Sequence, residues 1–224
     1  MLVRLLNALQ TVNIPENVSL ELLDCPITHL LESDLSLDES IISSVTSKFS
    51  GLAFSTRAMG YAIIKPGTTN LQNRSYSTQR STIGGLGSQL LKGLSKTSHV
   101  KSLRISCEMR DGMIVTPFVC GKQEWLLLRH LELRNFTVDA GIFEEFMNKI
   151  IAQLKTLLLS DAALVSREER AWRSIFDSWI AIKNSQPDQW SMEKVQLLGL
   201  RNQNFPDLSE PERAEVVQKL APPA

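Results

Sequence analysis

The apolar positions of residues 128–146, LRHLELRNFTVDAGIFEEF, have a spacing that fits neither an amphipathic strand nor a helix. Apolar side chains recur at Leu128, Leu131, Leu133 and Phe136, at intervals of three, two and three residues. A half-buried strand would alternate every second residue, and a helix would repeat every third or fourth. The mixed intervals predict a short strand that turns a corner before the next element.

The same spacing returns in neighbouring segments. LKTLLLSDAAL places Leu157 26 residues after Leu131, and MEKVQLLGL places Val195 38 residues after Leu157. Steps of about 20–29 residues are typical of leucine-rich repeats, so the longer step requires an enlarged return segment. Matching apolar positions throughout the chain are Leu20, Leu22 and Cys25; Leu52 and Phe54; Val100, Leu103 and Ile105; Leu154, Leu159 and Ala162; and Met192, Leu197 and Leu200.

Segments with helical spacing lie between these strands. DAGIFEEFMNKIIAQL has Asp139 as its expected N-cap residue, and SREERAWRSIFDSWIAI has Ser166 and Glu169 at the spacing of a capping box. Trp172 and Trp179 are seven residues apart, which places both on one apolar helical face. GLGSQLLKGLSKTSHV and MLVRLLNALQTV are predicted as further helices of the fold.

These elements predict the α/β class and a single leucine-rich repeat domain over residues 1–224. The expected solenoid has parallel strands on its concave face and helices on its convex face. KPGTTNLQNRSYSTQRST, at about residues 65–82, is poor in apolar residues and is interpreted as a polar loop insertion. A missed repeat, with GYAIIK as its strand, is the alternative. SEPERAEVVQKL predicts a C-terminal capping helix at about residues 209–220, with a capping box at Ser209 and Glu212.

Charge and composition exclude some classes of partner. The chain has 24 basic and 24 acidic side chains, so no nucleic-acid surface is expected. Apolar runs such as WLLL are far shorter than the roughly 20 residues of a bilayer span, so no membrane segment is expected either. Cys25, Cys107 and Cys120 form no C-x-x-C pair, which favours an intracellular location, cytoplasmic or nuclear.

We find no motif typical of a catalytic, metal or cofactor site. Residues 84–87, GGLG, lack the Gly-Lys-Ser/Thr ending of a phosphate-binding loop and are interpreted as a helix entry. His29, His99 and His130 have no cysteine or carboxylate at metal-ligand spacing. We therefore expect no enzymatic role, no metal and no cofactor.

Candidate binding residues come from the positions between the core leucines. In stacked strands these side chains project to the concave face, and equivalent positions form columns. The predicted columns are Ser102, His130, Thr156 and Lys194; Arg104, Glu132, Leu158 and Gln196; and Ser106, Arg134, Ser160 and Leu198. The candidate residues for binding a protein partner are Arg104, His130, Glu132, Arg134, Lys194 and Gln196. Arg104 and Glu132 are also expected to form an exposed cross-strand ion pair that stabilises the fold by about 1 kcal/mol or less. Solvated strand residues without a binding role are the alternative at each position.

Three segments carry a resemblance to a known family: LLKGLSKTSHVKSLRIS, LLLRHLELRNFTVDAGIFEEFM, and LKTLLLSDAAL followed by AWRSIFDSW. Together they resemble the leucine-rich repeat region of fungal F-box and related leucine-rich repeat proteins, over about half of the chain. The resemblance implies a protein-interaction module like the substrate-recognition region of an F-box-type ubiquitin-ligase receptor. In that family the F-box holds the ligase through its adaptor, and the repeats hold the substrate.

The F-box itself is not found in the sequence. It is a helical segment that commonly opens with Leu-Pro and a following acidic residue, whereas residues 1–24 look like a repeat helix that runs into a strand. The resemblance therefore implies substrate-binding repeats, either in a truncated form without its F-box or in a stand-alone repeat protein. A stand-alone leucine-rich repeat scaffold protein with no ubiquitin-ligase role is the alternative.

Overall fold

The computed structural model describes residues 2–15, 18–26, 41, 44–45, 47–57, 100–107, 113–114, 125–202 and 208–222. The loop insertion expected at about residues 65–82, the GYAIIK strand and the helix expected in GLGSQLLKGLSKTSHV lie outside the described residues.

Strands and helices alternate along the described part of the chain. Its strands are β1 (Ser19–Pro26), β2 (Gly51–Arg57), β3 (Ser102–Cys107), β4 (Met113–Ile114), β5 (His130–Arg134), β6 (Phe136–Asp139), β7 (Thr156–Ser160), β8 (Ala163–Val165), β9 (Lys194–Leu198) and β10 (Arg201–Asn202). Its α-helices are α1 (Leu2–Thr11), α2 (Ala140–Ile150), α3 (Ala171–Ser185) and α4 (Glu210–Leu220). Short 3-10 helices follow α2 at Ile151–Gln153 and α3 at Pro187–Gln189.

The strands form two parallel sheets, and the predicted α/β class is confirmed. The larger sheet has the strand order β1-β2-β3-β5-β7-β9, and the smaller has the order β10-β8-β6-β4. In the larger sheet Leu103 pairs with Leu131, Leu131 with Leu157, and Leu157 with Val195. All four side chains are buried, since the two-residue period places every apolar member of the row on the same face.

The second sheet was not expected, and it arises from the corners that follow β5, β7 and β9. Asn135, Asp161 and Gly199 occupy the equivalent position after each strand and have φ angles of 51°, 52° and 55°. Neighbouring corners are hydrogen-bonded, because Asn135 N donates to Ser160 O and Asp161 N donates to Leu198 O, each at 2.9 Å. Beyond each corner the chain is extended again as β6, β8 and β10.

The core lies between these strands and the helices. Phe136, Ala162 and Leu200 follow the corners directly and are at most 2% exposed. The predicted tryptophan stripe on α3 is confirmed, since both Trp172 and Trp179 are buried. Aromatic rings of α2 and α3 pack on one another, with Phe143 and Trp172 edge to face at a centroid distance of 5.7 Å.

One predicted helix start is confirmed and another is wrong. Asp139 Oδ1 accepts a hydrogen bond from Ile142 N at 3.1 Å, as expected of an N-cap. The capping box predicted at Ser166 and Glu169 does not start α3, which begins at Ala171 without a side-chain cap. Ser166 Oγ instead accepts from the backbone of the residue two positions on. Residues 167–170 are exposed, and the helix begins only where its apolar face meets the core.

The C-terminal helix α4 is held at both ends. At its start the capping box of Ser209 and Glu212 is present as predicted. At its end Lys183 Nζ of α3 donates to Lys219 O at 2.7 Å, and Trp190 Nε1 donates to Leu220 O at 3.1 Å. Side chains from outside the helix thus satisfy carbonyl groups that a helix end leaves without partners.

Candidate functional site

The face of the larger sheet that points away from the buried leucines carries the candidate residues. The strand register reproduces the predicted columns: His130 pairs with Thr156 and Thr156 with Lys194, while Arg104 pairs with Glu132. We call this surface the open face; its described side chains, in the three columns, are Ser19, Ser102, His130, Thr156 and Lys194; Glu21, Ala53, Arg104, Glu132, Leu158 and Gln196; and Ser106, Arg134, Ser160 and Leu198.

A groove of about 290 Å³ runs across the open face, perpendicular to the strands. It extends from Ser19 and Glu21 on β1 to Lys194 and Gln196 on β9. The groove is continuous across β1, β2, β3, β5, β7 and β9, because each of these strands contributes at least one residue of the first two columns to its lining.

The groove is deepened at β2 by small residues. Ala53 lies between Glu21 and Arg104 in its column, and Gly51 lies between Ser19 and Ser102. A Cβ atom on residue 51 would overlap Ser19 Oγ, so a larger residue there would require the Ser19 side chain to move. Sequence reasoning did not include Glu21, Gly51 or Ala53 in the columns, although extending the predicted frame to β1 and β2 would have found them.

Glu132 lies at the centre of an ion-pair cluster. Its Oε2 is 2.9 Å from Arg104 Nε on β3, which confirms the predicted cross-strand pair. Its Oε1 is 2.6 Å from Arg134 Nε, two residues further along the same strand. The two arginine side chains are about half exposed, at 51% and 50%, whereas the Glu132 side chain is only 19% exposed. One carboxylate therefore holds two guanidinium groups side by side at the surface; we call Arg104, Glu132 and Arg134 the arginine clasp.

The other predicted residues lie in the groove but outside the clasp. His130 Nδ1 is 2.9 Å from Thr156 Oγ1, its neighbour in the first column. The side chains of Lys194 and Gln196 are exposed and form no hydrogen bond or ion pair within the described residues. The open face thus holds all six predicted residues, and only Arg104, Glu132 and Arg134 contact one another.

A second charged pair lies where β7 and β9 begin. Lys155 Nζ is 2.8 Å from Glu193 Oε1, and these residues immediately precede the two strands. Hydrogen bonding to Lys155 and its positive charge lower the pKa of Glu193 below the usual glutamate value. The Glu193 carboxylate is therefore ionised at neutral pH, and the exposed side chain of Lys194, which lines the groove, follows it in the chain.

The structure also contains a cavity of about 400 Å³ away from the open face. It is lined by Arg170 and Arg173 near the start of α3 and by Glu212 of α4, with Asn202 at its base. Arg173 forms ion pairs with Asp177 at 3.2 Å and with Glu215 at 3.6 Å. The first pair lies within α3 and the second joins α3 to α4, so we interpret the charges here as helix contacts.

The described residues contain no metal-binding cluster and no membrane-spanning helix. No group of three or more histidine, cysteine, aspartate or glutamate residues within the described ranges is arranged to hold a metal ion. None of the described helices has the length and apolar character needed to span a bilayer. Comparison with protein-family models finds no match, and comparison with curated proteins finds none either.

Proposed function

We propose that the chain is a leucine-rich repeat solenoid that binds another protein through its open face, which corresponds to the predicted concave face. The observation that carries this proposal is the register of the larger sheet. Three columns of outward side chains align from strand to strand, while the leucines between them are buried. Repeating strands of this kind create extended binding surfaces, because each unit contributes the same positions to one face.

The corners support the repeat architecture. Asn135, Asp161 and Gly199 share a left-handed backbone conformation at equivalent positions, and each is followed by a buried apolar residue. The corners are separated by 26 and 38 residues, the same steps as between the strands. Asparagine, aspartate and glycine are the residue types that adopt this conformation at lowest cost, so the position is encoded locally in each unit.

The chemistry of the groove favours binding over catalysis. The Glu132 carboxylate is paired with two arginines and is not positioned as a free base. His130 contacts a threonine hydroxyl at 2.9 Å and is exposed, so its environment is that of a surface side chain. Polar side chains spread over several strands suit recognition of a partner surface, where many contacts give complementarity and a few contribute most of the affinity.

Purification from native cells with a matched control tests the proposal. The test variant combines Arg104→Ala, Glu132→Ala and Arg134→Ala; the control combines Glu145→Ala and Lys149→Ala, an exposed ion pair on α2. Mass spectrometry should identify partners that the wild type and the control retain and that the test variant loses. Equal recovery of every partner by all three proteins would contradict binding through the open face.

The family resemblance supports a more specific function, in which the chain is the substrate receptor of a ubiquitin ligase. The same purification tests it, because the ligase adaptor and a cullin would then be recovered with the wild type. If the partners that depend on the open face are recovered without adaptor and cullin, the chain is a stand-alone repeat scaffold instead.

A further inference from the structure

The arginine clasp has hydrogen-bonding capacity that the protein itself does not use. A guanidinium group has five N–H donors, and the contacts of Arg104 and Arg134 with Glu132 each involve the Nε atom. The terminal nitrogens of both side chains have no hydrogen bond within the described residues. Two planar donor groups are therefore exposed next to each other.

The clasp also has an excess positive charge. Two guanidinium groups share one carboxylate, so Arg104, Glu132 and Arg134 together carry a net charge of +1. Glu21 belongs to the same column, but Ala53 separates it from Arg104. Strands lie about 4.8 Å apart, so Glu21 is about 10 Å away along the column and forms no ion pair with Arg104. The Lys194 side chain, which forms no ion pair within the described part of the chain, adds a further positive charge at the β9 end of the groove.

Glu132 restricts the positions of both arginines before any partner arrives. Its two oxygens each hold one Nε, and its side chain is four-fifths buried, so it is itself restrained. Long side chains lose rotamer entropy when they are ordered on binding, and prior ordering lowers that cost. An arginine ordered in this way presents its donors in the fixed geometry that matches a carboxylate.

From these features we propose that the groove binds an extended segment of a partner protein. The arginine clasp, with Arg104 and Glu132 in the groove lining and Arg134 beside it, holds an aspartate or glutamate carboxylate of that segment. The carboxylate accepts hydrogen bonds from the terminal nitrogens of Arg104 and Arg134. This inference rests on the proposed function, since it names the kind of partner that the open face recognises.

The dimensions of the groove and its apolar neighbours define the segment further. Six strands about 4.8 Å apart span about 24 Å, which an extended chain of about seven residues covers. Leu158 follows Glu132 in the same column, and Leu198 is 53% exposed in the column of Arg134. An apolar side chain near the acidic residue would cover these leucines. We therefore expect a short motif with one acidic and one apolar position.

A peptide-display selection against the full chain tests the inference without knowledge of the natural partner. The probe is a library of random twelve-residue peptides, displayed on phage and selected first on the wild type. Peptides that also bind the double variant Arg104→Gln/Arg134→Gln are then removed. Aspartate or glutamate should be enriched at one position of the remaining peptides. Survivors without such enrichment, or no survivors, would overturn the inference.

Binding measurements with one selected peptide then test the contact itself. Fluorescence anisotropy should show affinity at least about tenfold weaker for the double variant, because hydrogen bonds to a charged group are lost. Arg167→Gln, at an exposed position outside the open face, is the control and should leave the affinity unchanged. Thermal unfolding of each variant verifies that it is folded. Equal affinity of the wild type and the double variant would overturn the inference.

A charge exchange separates a direct contact from a general effect of charge. Arg134→Glu should abolish binding of the acidic peptide, and changing the acidic position of the peptide to lysine should restore part of it. Absence of any restoration would contradict a direct contact at Arg134.

Failure of this inference can be distinguished from failure of the proposed function. If the selected peptides lack an acidic position but do not bind the variant His130→Ala/Lys194→Ala, the open face remains a binding surface and the carboxylate contact is overturned. Peptides that bind wild type and all open-face variants equally would argue against both.

Discussion

Lys183 Nζ on α3 donates a hydrogen bond to the carbonyl oxygen of Lys219, 2.7 Å away in the last turn of α4. The same ammonium group donates to Ala221 O at 2.5 Å. Lys183, which is partly buried, thus joins the two helices, because its positive charge lies at the negatively polarised C-terminal end of α4. Lys48 repeats this arrangement at the other end of the chain, where its Nζ donates to Leu9 O at 3.0 Å and to Gln10 O at 2.6 Å.

Removal of the Lys183 ammonium should loosen α4. We expect Lys183→Met, which keeps the apolar stem, to lower the free energy of unfolding by about 1–2 kcal/mol, as for lost hydrogen bonds to a charged donor. Urea denaturation measures this change. Lys149→Met is the control, because Lys149 forms only an exposed pair with Glu145 and should cost about 0.5 kcal/mol or less. Equal effects of both substitutions would contradict the proposed role of Lys183.

The aligned leucines should dominate stability. Leu157 is 1% exposed at the centre of the larger sheet, so Leu157→Ala should lower the free energy of unfolding by about 2–5 kcal/mol through lost burial and a residual cavity. Leu198→Ala is the matched control, since Leu198 is 53% exposed on the open face and should change stability by about 0.5 kcal/mol or less. Chemical denaturation of both variants measures the difference, and similar losses would argue against the described register.

The corner after β9 should favour glycine over alanine. Gly199 has a φ of 55°, and a Cβ atom there would lie 2.6 Å from Asp161 Oδ1. Gly199→Ala should therefore destabilise the protein by about 1 kcal/mol or more. Gly141→Ala provides the contrast: it lies in helix α2, where the nearest atom to an added Cβ is 3.5 Å away. That change should be neutral or stabilise by up to about 1 kcal/mol. Thermal denaturation that ranks the two variants in the opposite order would contradict the left-handed corner.

Acid should weaken the contact between α3 and α4. Hydrogen bonding to Lys219, its positive charge and the charge of Arg173 lower the pKa of Glu215 from its ordinary value of 4.5. A carboxylate with a lowered folded-state pKa stabilises the fold above its unfolded pKa, and this stabilisation is lost as the pH falls through the folded-state value. Glu215→Gln should therefore be less stable than wild type near neutral pH.

The difference between wild type and Glu215→Gln should shrink as the pH falls below about 4.5 and vanish once Glu215 is protonated in the folded state. Urea denaturation at a series of pH values measures it. Glu145→Gln, on the exposed α2 pair, tests whether any surface glutamate gives the same profile. A difference that stays constant down to about pH 3 would contradict the linkage to Glu215.

Local pattern was sufficient to place the strands of the larger sheet and the outward residues of β3, β5, β7 and β9. Leu131, Leu133 and their equivalents alternate with polar positions, and a shift of one residue would expose the whole apolar row, so the pattern determines the register. For the same reason it placed Arg104 opposite Glu132. The residue types of Asn135, Asp161 and Gly199 also indicate the corners, because these types adopt a left-handed conformation at low cost.

Contacts between distant segments decided the remaining features. Short extended segments such as β6 and β8 have no stability of their own, and they become strands only because the corners place them side by side. The start of α3 at Ala171 depends on where the helix first meets the core, which the local spacing of Ser166 and Glu169 does not encode. That Glu132 holds Arg134 as well as Arg104 follows from side-chain geometry at the surface. Sequence alone thus determined the buried row, because burial follows local periodicity, and tertiary structure decided the geometry of the open face, because it depends on where neighbouring strands place their side chains.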